Sequence, residues 1–207
     1  MRMLYVFDEI SMLSDDFIVR CAPCMPQERI DKINRLRPSS SKVISAATYL
    51  LLRFALATEY SISEPVVFEY GRNDKPLLKG YPEIHFNLSH TSNAVACALS
   101  DVPIGVDVQH VSKVSERVAR RVLSSCEFSE YLSGDSPDDY FCRVWAIKES
   151  VLKRTGQGIA VNLGEMIADS FLDVTVYRGD GYYCAVTEVD SVIRKVSFEE
   201  LGMFLLS

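Results

Sequence analysis

Three small clusters in this 207-residue chain carry side chains whose types and spacing suit chemistry. Ser89 and His90 close the stretch "EIHFNLSH". Asp107 follows a glycine in the otherwise apolar run "PIGVDVQ". Lys148, Glu149 and Lys153 share "VWAIKESVLKRTGQG", residues 144–158. At about 100° per helical residue, Phe141, Val144, Trp145 and Leu152 form one apolar stripe; Lys148 falls inside it, and Glu149 lies at its edge beside the only tryptophan. Each cluster has an ordinary explanation. A Ser-His pair at a strand end is commonly a turn, an i,i+4 Glu–Lys pair is a routine helix stabiliser worth roughly 0.2–0.5 kcal/mol, and a strand aspartate can pair with an arginine. Separately, however, each buried charge carries its own desolvation cost, and one divalent cation with a polyphosphate would satisfy them together. Hard carboxylate oxygens suit Mg²⁺, which takes one or two carboxylates plus phosphates and water, and cationic side chains neutralise the phosphate oxygens.

The elements that must position these groups are legible in outline. Residues 3–7 read as a strand. "SSSKVISAATYLLLRFALATEY" reads as a helix with serines as N-cap candidates, apolar nearly all round and therefore buried; between Val43 and Ala57 its one charge is Arg53, which needs an internal carboxylate or a bidentate phosphate. "PVVFEYG" reads as a strand and "RNDKP" as a turn. In "EIHFNLSH", Phe86, Leu88 and His90 alternate against Asn87 and Ser89. "AVACALSDVPIGVDVQ" reads as two strands, with Asp107 and Gln109 on one side of the second. A helix over 114–133 carries Arg117, Arg120 and Arg121, and strands are expected at 171–177 and 182–189. "SNAVACALSD" and "GYYCAVTEVD" echo each other as turn, strand and acidic turn, one late in each half.

Composition narrows the class. Nearly half the residues are apolar and a quarter charged, as in a globular protein. A net charge of −6 argues against nonspecific nucleic-acid binding, although Arg20, Arg29, Lys32, Arg35, Arg37, Lys42 and Arg53 make one segment locally basic. No apolar run reaches the roughly 18 residues of a membrane span, and Asp8 and Glu9 interrupt the N-terminal apolar stretch, so a cytoplasmic chain is expected. The six cysteines are then expected to be reduced, and "CAPC" (Cys21, Cys24) has no second pair at zinc spacing.

"FNLSHTSNAVACALSDVPIGVDVQ" followed by "VWAIKESVLK" resembles the paired signature of the 4′-phosphopantetheinyl transferases: (F)N-x-SH-(S/T), G-(V/I)-D-(V/I)-E and W-x-x-KE-(A/S)-x-x-K. The length and "NDKP" ahead of the first motif are similar to the monomeric Sfp-type group. The resemblance implies an α+β fold of two similar halves related by a pseudo-twofold, divided here as 1–106 and 107–207, with the site in the cleft between them. It implies Mg²⁺-dependent transfer of 4′-phosphopantetheine from coenzyme A to a serine of an acyl or peptidyl carrier protein, releasing 3′,5′-ADP, by a monomer without nucleic-acid or membrane partners. It implies that Asp107 and Glu149 are metal ligands, that Glu149 takes the serine proton, and that Lys153 and Lys148 stabilise phosphate charge. Lys75, Ser89, His90 and Arg53 match contacts to the nucleotide end of coenzyme A, and Arg117, Arg120 and Arg121 fall roughly where the family receives its carrier.

Two departures stand out. Gln109 occupies the usual glutamate position, and a neutral amide is the weaker Mg²⁺ ligand. "RLRPSSSK" has serines where relatives carry basic residues, so Arg35, Arg37 and Lys42 receive no individual contacts. Gln109 also leaves open a second reading, a binding module for coenzyme A or a carrier that has lost transfer. An unrelated Mg²⁺-nucleotide enzyme would lack a phosphate loop here, since neither GxxxxGK[ST] nor GxGxxG occurs.

Overall fold

A computed structural model describes residues 2–156, 162–188 and 192–206. The first half contains β1 (Arg2–Phe7), α1 (Asp15–Cys21), α2 (Gln27–Asn34), α3 (Ser39–Tyr60), β2 (Phe68–Tyr70), β3 (Pro76–Leu78), β4 (His85–His90) and β5 (Val95–Ser100). It is followed by β6 (Val106–His110), α4 (Glu116–Val122), α5 (Ser125–Ser133), α6 (Pro137–Thr155), β7 (Val174–Gly179), β8 (Tyr182–Thr187), β9 (Val192–Lys195) and α7 (Phe198–Phe204). Gln157 and Gly158 of the expected glycine-rich exit, and Val189 at the end of the last expected strand, lie outside the described residues.

The α+β architecture is built from two units of one topology. In the first, β1, α3, β4 and β5 form an antiparallel sheet of order β4-β5-β1; in the second, β6, α6, β7 and β8 form β7-β8-β6. The echoing segments are β5 and β8, which occupy the same central place in each sheet. α3 covers one face of the first sheet through Ala47, Leu50, Leu51 and Ala55, and α6 covers one face of the second through Phe141, Val144 and Ile147. The remaining faces meet. Leu4, Val6 and the small side chains Ala94, Ala96 and Ala98 pack against Ile104, Val106, Val108, Tyr182 and Cys184 in one buried cluster. Burial of apolar area on both faces of both sheets stabilises the layered arrangement.

Local departures have local causes. α3 begins at Ser39 after Pro38 with no side-chain cap, so the serines form its first turn. The expected helix 114–133 breaks at Leu123–Ser124, because Ser124 and Glu127 form a capping box that starts α5. After β8 the chain crosses back: β9 adds parallel to β1, and Val196 and Leu201 join the first core. The tail therefore crosses the division expected at 106/107. All six cysteines are free. No helix among the described residues is long and apolar enough to cross a membrane.

Candidate active site

The two sheets meet along β4 and β6, where side chains replace a backbone ladder. Asn87 Oδ1 accepts from Val106 N at 2.9 Å, and Ser89 Oγ accepts from Val108 N at 3.1 Å. The period-two N-x-S of β4 thus satisfies buried N–H groups on an otherwise unpaired strand edge. Gly105 lets α6 close on the same strand. A Cβ there would lie 2.0 Å from Ser150 O and 2.4 Å from Arg154 N.

Asp107, 3% exposed, is the hub of this junction. Its Oδ1 accepts from Ser89 Oγ at 3.0 Å and from Lys153 Nζ at 2.5 Å; its Oδ2 accepts from Gln109 Nε2 at 2.6 Å. Lys153 Nζ also reaches Ser89 Oγ at 3.0 Å. Strand β4, strand β6 and helix α6 therefore bring Ser89, Asp107, Gln109 and Lys153 together. Glu149, one turn before Lys153, is half-buried. Burial and the negative charge of Asp107 raise its pKa above the usual carboxylate value, while Lys153 and the Trp145 indole pull in the opposite direction.

Three depressions converge on these residues. One of about 480 Å³ is bordered by Ser89, His90, Asp107, Gln109 and Lys153. A second, of about 330 Å³, is bordered by Lys75, Asn87, Glu149 and Lys153. The third, of about 950 Å³, runs between Arg120, Arg121, Trp145 and Leu163 and also reaches Glu149. Lys153 borders the first two, and Glu149 borders the second and third.

The carboxylates at this junction, Asp107 and Glu149, are hard oxygen donors. The charge of Asp107 helps to raise the pKa of Glu149, Asp107 already attracts the Lys153 ammonium, and Gln109 turns its amide nitrogen to Asp107. Among the described residues no group of three or more His, Cys, Asp or Glu suited to a metal is found. Two carboxylates completed by phosphate and water match magnesium's habits.

Other expected site residues stand elsewhere. Lys148 does not reach a phosphate: it is 0% exposed, and its ammonium donates to Glu127 Oε2 at 2.5 Å, Val122 O at 2.8 Å and Leu163 O at 3.0 Å. All three donors are thereby used. The apolar stripe hides a buried ion pair, and the unrecognised partner is Glu127, whose sequence signal is the S-x-x-E capping pattern. Arg53 is also corrected: its guanidinium donates to the backbone carbonyls of Cys24 (2.6 Å) and Ser63, inside the first core, instead of to a carboxylate or phosphate. His90 is exposed at the end of β4; local desolvation and the Lys153 and Arg29 cations hold its pKa below the ordinary imidazole value. Arg29 is half-buried, bonded to Ser45 O at 2.8 Å and facing the Tyr49 ring. In the sequence it is one member of a basic segment and nothing singles it out. Arg120 and Arg121 border the third depression, with Arg120 paired to Glu116 at 2.5 Å and lying over the Phe128 ring; Arg117 is exposed.

Residues 103–189 match the profile of the 4′-phosphopantetheinyl transferase superfamily. The 4′-phosphopantetheinyl transferase psf-1 of Bacillus pumilus is 33% identical over 58% of this chain and 52% of its own. The 4′-phosphopantetheinyl transferase Sfp of Bacillus subtilis is 32% identical over 55% of this chain and 52% of its own. The 4′-phosphopantetheinyl transferase gsp of Aneurinibacillus migulanus is 26% identical over 73% and 71%. The chain spans about half the length of the first two relatives.

Proposed function

From the homology of residues 103–189 to the 4′-phosphopantetheinyl transferase superfamily, we propose that the protein transfers 4′-phosphopantetheine from coenzyme A to a serine hydroxyl of an acyl or peptidyl carrier protein. The observation that carries this reading is the position of Glu149, which borders both the depression shared with Lys153 and the long groove beneath Arg120 and Arg121. A carboxylate there can take a proton from a hydroxyl arriving along the groove while the nucleotide side is held by cations.

In the transfer, the serine oxygen bonds to the β-phosphorus of coenzyme A as the bridging phosphorus–oxygen bond to 3′,5′-ADP breaks. The serine proton passes to Glu149, and the bridging oxygen leaves with the electron pair. Such a reaction depends mainly on alignment and charge neutralisation. Asp107, Glu149 and the Gln109 amide oxygen would hold Mg²⁺, which when bound neutralises the diphosphate. Lys153 releases Asp107 to donate to phosphate oxygens, Ser89 fixes the Asp107 carboxylate, and His90 meets the nucleotide end. Because Ser89, Asp107, Glu149 and Lys153 come from one chain, the cluster needs no second copy, consistent with a monomer. The groove is lined by Arg120 and Arg121, with Arg117 exposed on the same helix, and an acidic carrier would be steered to it by opposite charge.

Gln109 favours the second reading, a module that binds coenzyme A or a carrier without transfer. Incubating the protein with Mg²⁺, coenzyme A and a panel of apo carriers, then weighing the carriers by mass spectrometry, separates the two. A gain of one phosphopantetheine mass supports transfer; no gain on any carrier with coenzyme A binding intact supports the binding module.

A further inference from the structure

We propose that Lys75 is a positioning residue: its ammonium caps the C-terminus of α6 from the opposite half of the molecule and so fixes where Lys153 and Glu149 stand. This inference rests on the transferase reading, but departs from the expectation that Lys75 is a contact to the nucleotide.

Lys75 Nζ donates to Lys153 O at 2.8 Å and Arg154 O at 3.0 Å, with Ile104 O at 3.5 Å. The last carbonyls of a helix have no intrahelical partner and carry the negative end of its dipole, so an ammonium is the complementary cap. With three carbonyls around it, the ammonium has no donor left for a phosphate. The Lys75 stem borders the depression shared with Glu149 and Lys153, and a methyl group on Gly156 would meet its Cδ at 3.7 Å. The same turn supplies a second tie, Asn73 Nδ2 to Gly156 O at 2.5 Å.

The consequence follows from connectivity. The Lys153 carbonyl is held by Lys75, and the Lys153 ammonium is held on Asp107 and Ser89. One residue of α6 is thus gripped at its backbone by the turn before β3 and at its side chain by β4 and β6. Loosening the backbone grip lets the last turn of α6 shift relative to Asp107, and small misplacements of reacting groups cost rate steeply.

The test separates positioning from ligand contact. Steady-state transfer by Lys75→Met should show kcat lower by about tenfold or more with KM for coenzyme A changed by less than about threefold. Lys75→Arg, which retains a cationic donor, should recover part of kcat, and Asn73→Ala should shift kcat in the same direction by less. Hydrogen exchange should speed up in the Val151–Gly156 segment of Lys75→Met while α3 stays protected, which shows that the variant is folded. A rise in KM for coenzyme A of about tenfold at unchanged kcat would assign Lys75 to the ligand and overturn the proposal, as would unaltered exchange in that segment. If the wild-type chain transfers nothing to any carrier, the transferase reading fails, while the exchange experiment still reports on the cap.

Discussion

Lys153 Nζ lies 2.5 Å from Asp107 Oδ1, so an ammonium rests on the carboxylate proposed as a metal ligand. Asp107 is almost fully buried, and in the absence of a ligand Lys153 supplies the compensating charge that burial demands. Cation and ammonium then compete for one oxygen. Lys153→Met is expected to bind Mg²⁺ more tightly without coenzyme A, by roughly tenfold, the scale on which an adjacent charge shifts an ionic equilibrium. The same variant should lose about 100-fold or more in transfer, since the cation proposed to offset developing phosphate charge is removed. Calorimetric titration with Mg²⁺ alone checks the first effect; weaker metal binding in the variant would show that Lys153 and the metal do not share Asp107.

Gln109 donates to Asp107 Oδ2 at 2.6 Å, a bond that an ionised glutamate cannot make. Gln109→Glu therefore places two carboxylates side by side on β6. Without metal, the melting temperature should fall, reflecting a loss of about 1–3 kcal/mol as the charge-assisted hydrogen bond is replaced by repulsion. Mg²⁺ should restore it, because the added carboxylate is a stronger ligand than the amide. Transfer at saturating Mg²⁺ should be equal or higher. Thermal melts with and without Mg²⁺ decide the point, and a Mg²⁺-independent loss would remove Gln109 from the ligand set.

The pair Lys148–Glu127 is the third case. Burial opposes the charged carboxyl, but the Ala168 N–H, the Lys148 ammonium and the Ser124 N–H outweigh it and hold Glu127 below the usual carboxylate range. A carboxyl depressed in the folded state contributes stability that is complete above its unfolded pKa, about 4.3, and is lost as pH falls through the depressed folded value. Urea unfolding should therefore show the margin of wild type over Glu127→Gln shrinking in acid. Lys148→Met alone should cost about 3–5 kcal/mol by stranding a buried carboxylate, and adding Glu127→Gln should recover a large part. If Lys148→Met were instead neutral for stability and abolished coenzyme A binding, the phosphate role expected from the motif would be reinstated.

What was readable in the sequence follows a physical division. Period-two and helical patterns are properties of one segment, so β4, β5, β6, α3 and α6 are visible, and the ordered motifs single out Ser89, Asp107, Glu149 and Lys153 as candidates, of which Ser89, Asp107 and Lys153 prove to be hydrogen-bonded together. The partners of Lys148 and Arg53 are not visible. Both side chains look identical in sequence whether they face a phosphate, a glutamate on another helix or a backbone carbonyl, and only the fold selects among these. The β9 tail was invisible for a similar reason: Val192 and Ile193 are exposed on an edge strand whose partner, β1, begins the chain. The bonds of Lys75 to the end of α6 have no sequence signal, because a contact supplied by the other half leaves no local pattern.

Gly105 shows how one residue sets the distance on which the site depends. Its ideal Cβ would fall 2.0 Å from Ser150 O and 2.4 Å from Arg154 N, both backbone atoms that cannot rotate away. Gly105→Ala must therefore push α6 off β6, carrying Glu149 and Lys153 away from Asp107. Overpacking of this kind costs about 1–3 kcal/mol or more. The variant should melt at lower temperature and, at a temperature where it is still folded, lose kcat out of proportion to its affinity for coenzyme A. Gly202, in α7, has nothing within 4 Å of the same added atom, so Gly202→Ala should raise stability by about 0.5–1 kcal/mol through helix propensity and leave kcat unchanged. Melting curves with kcat for both variants check the contrast. A Gly105→Ala protein with wild-type kcat would mean that the close approach of α6 to β6 does not set the alignment of Asp107 with Glu149.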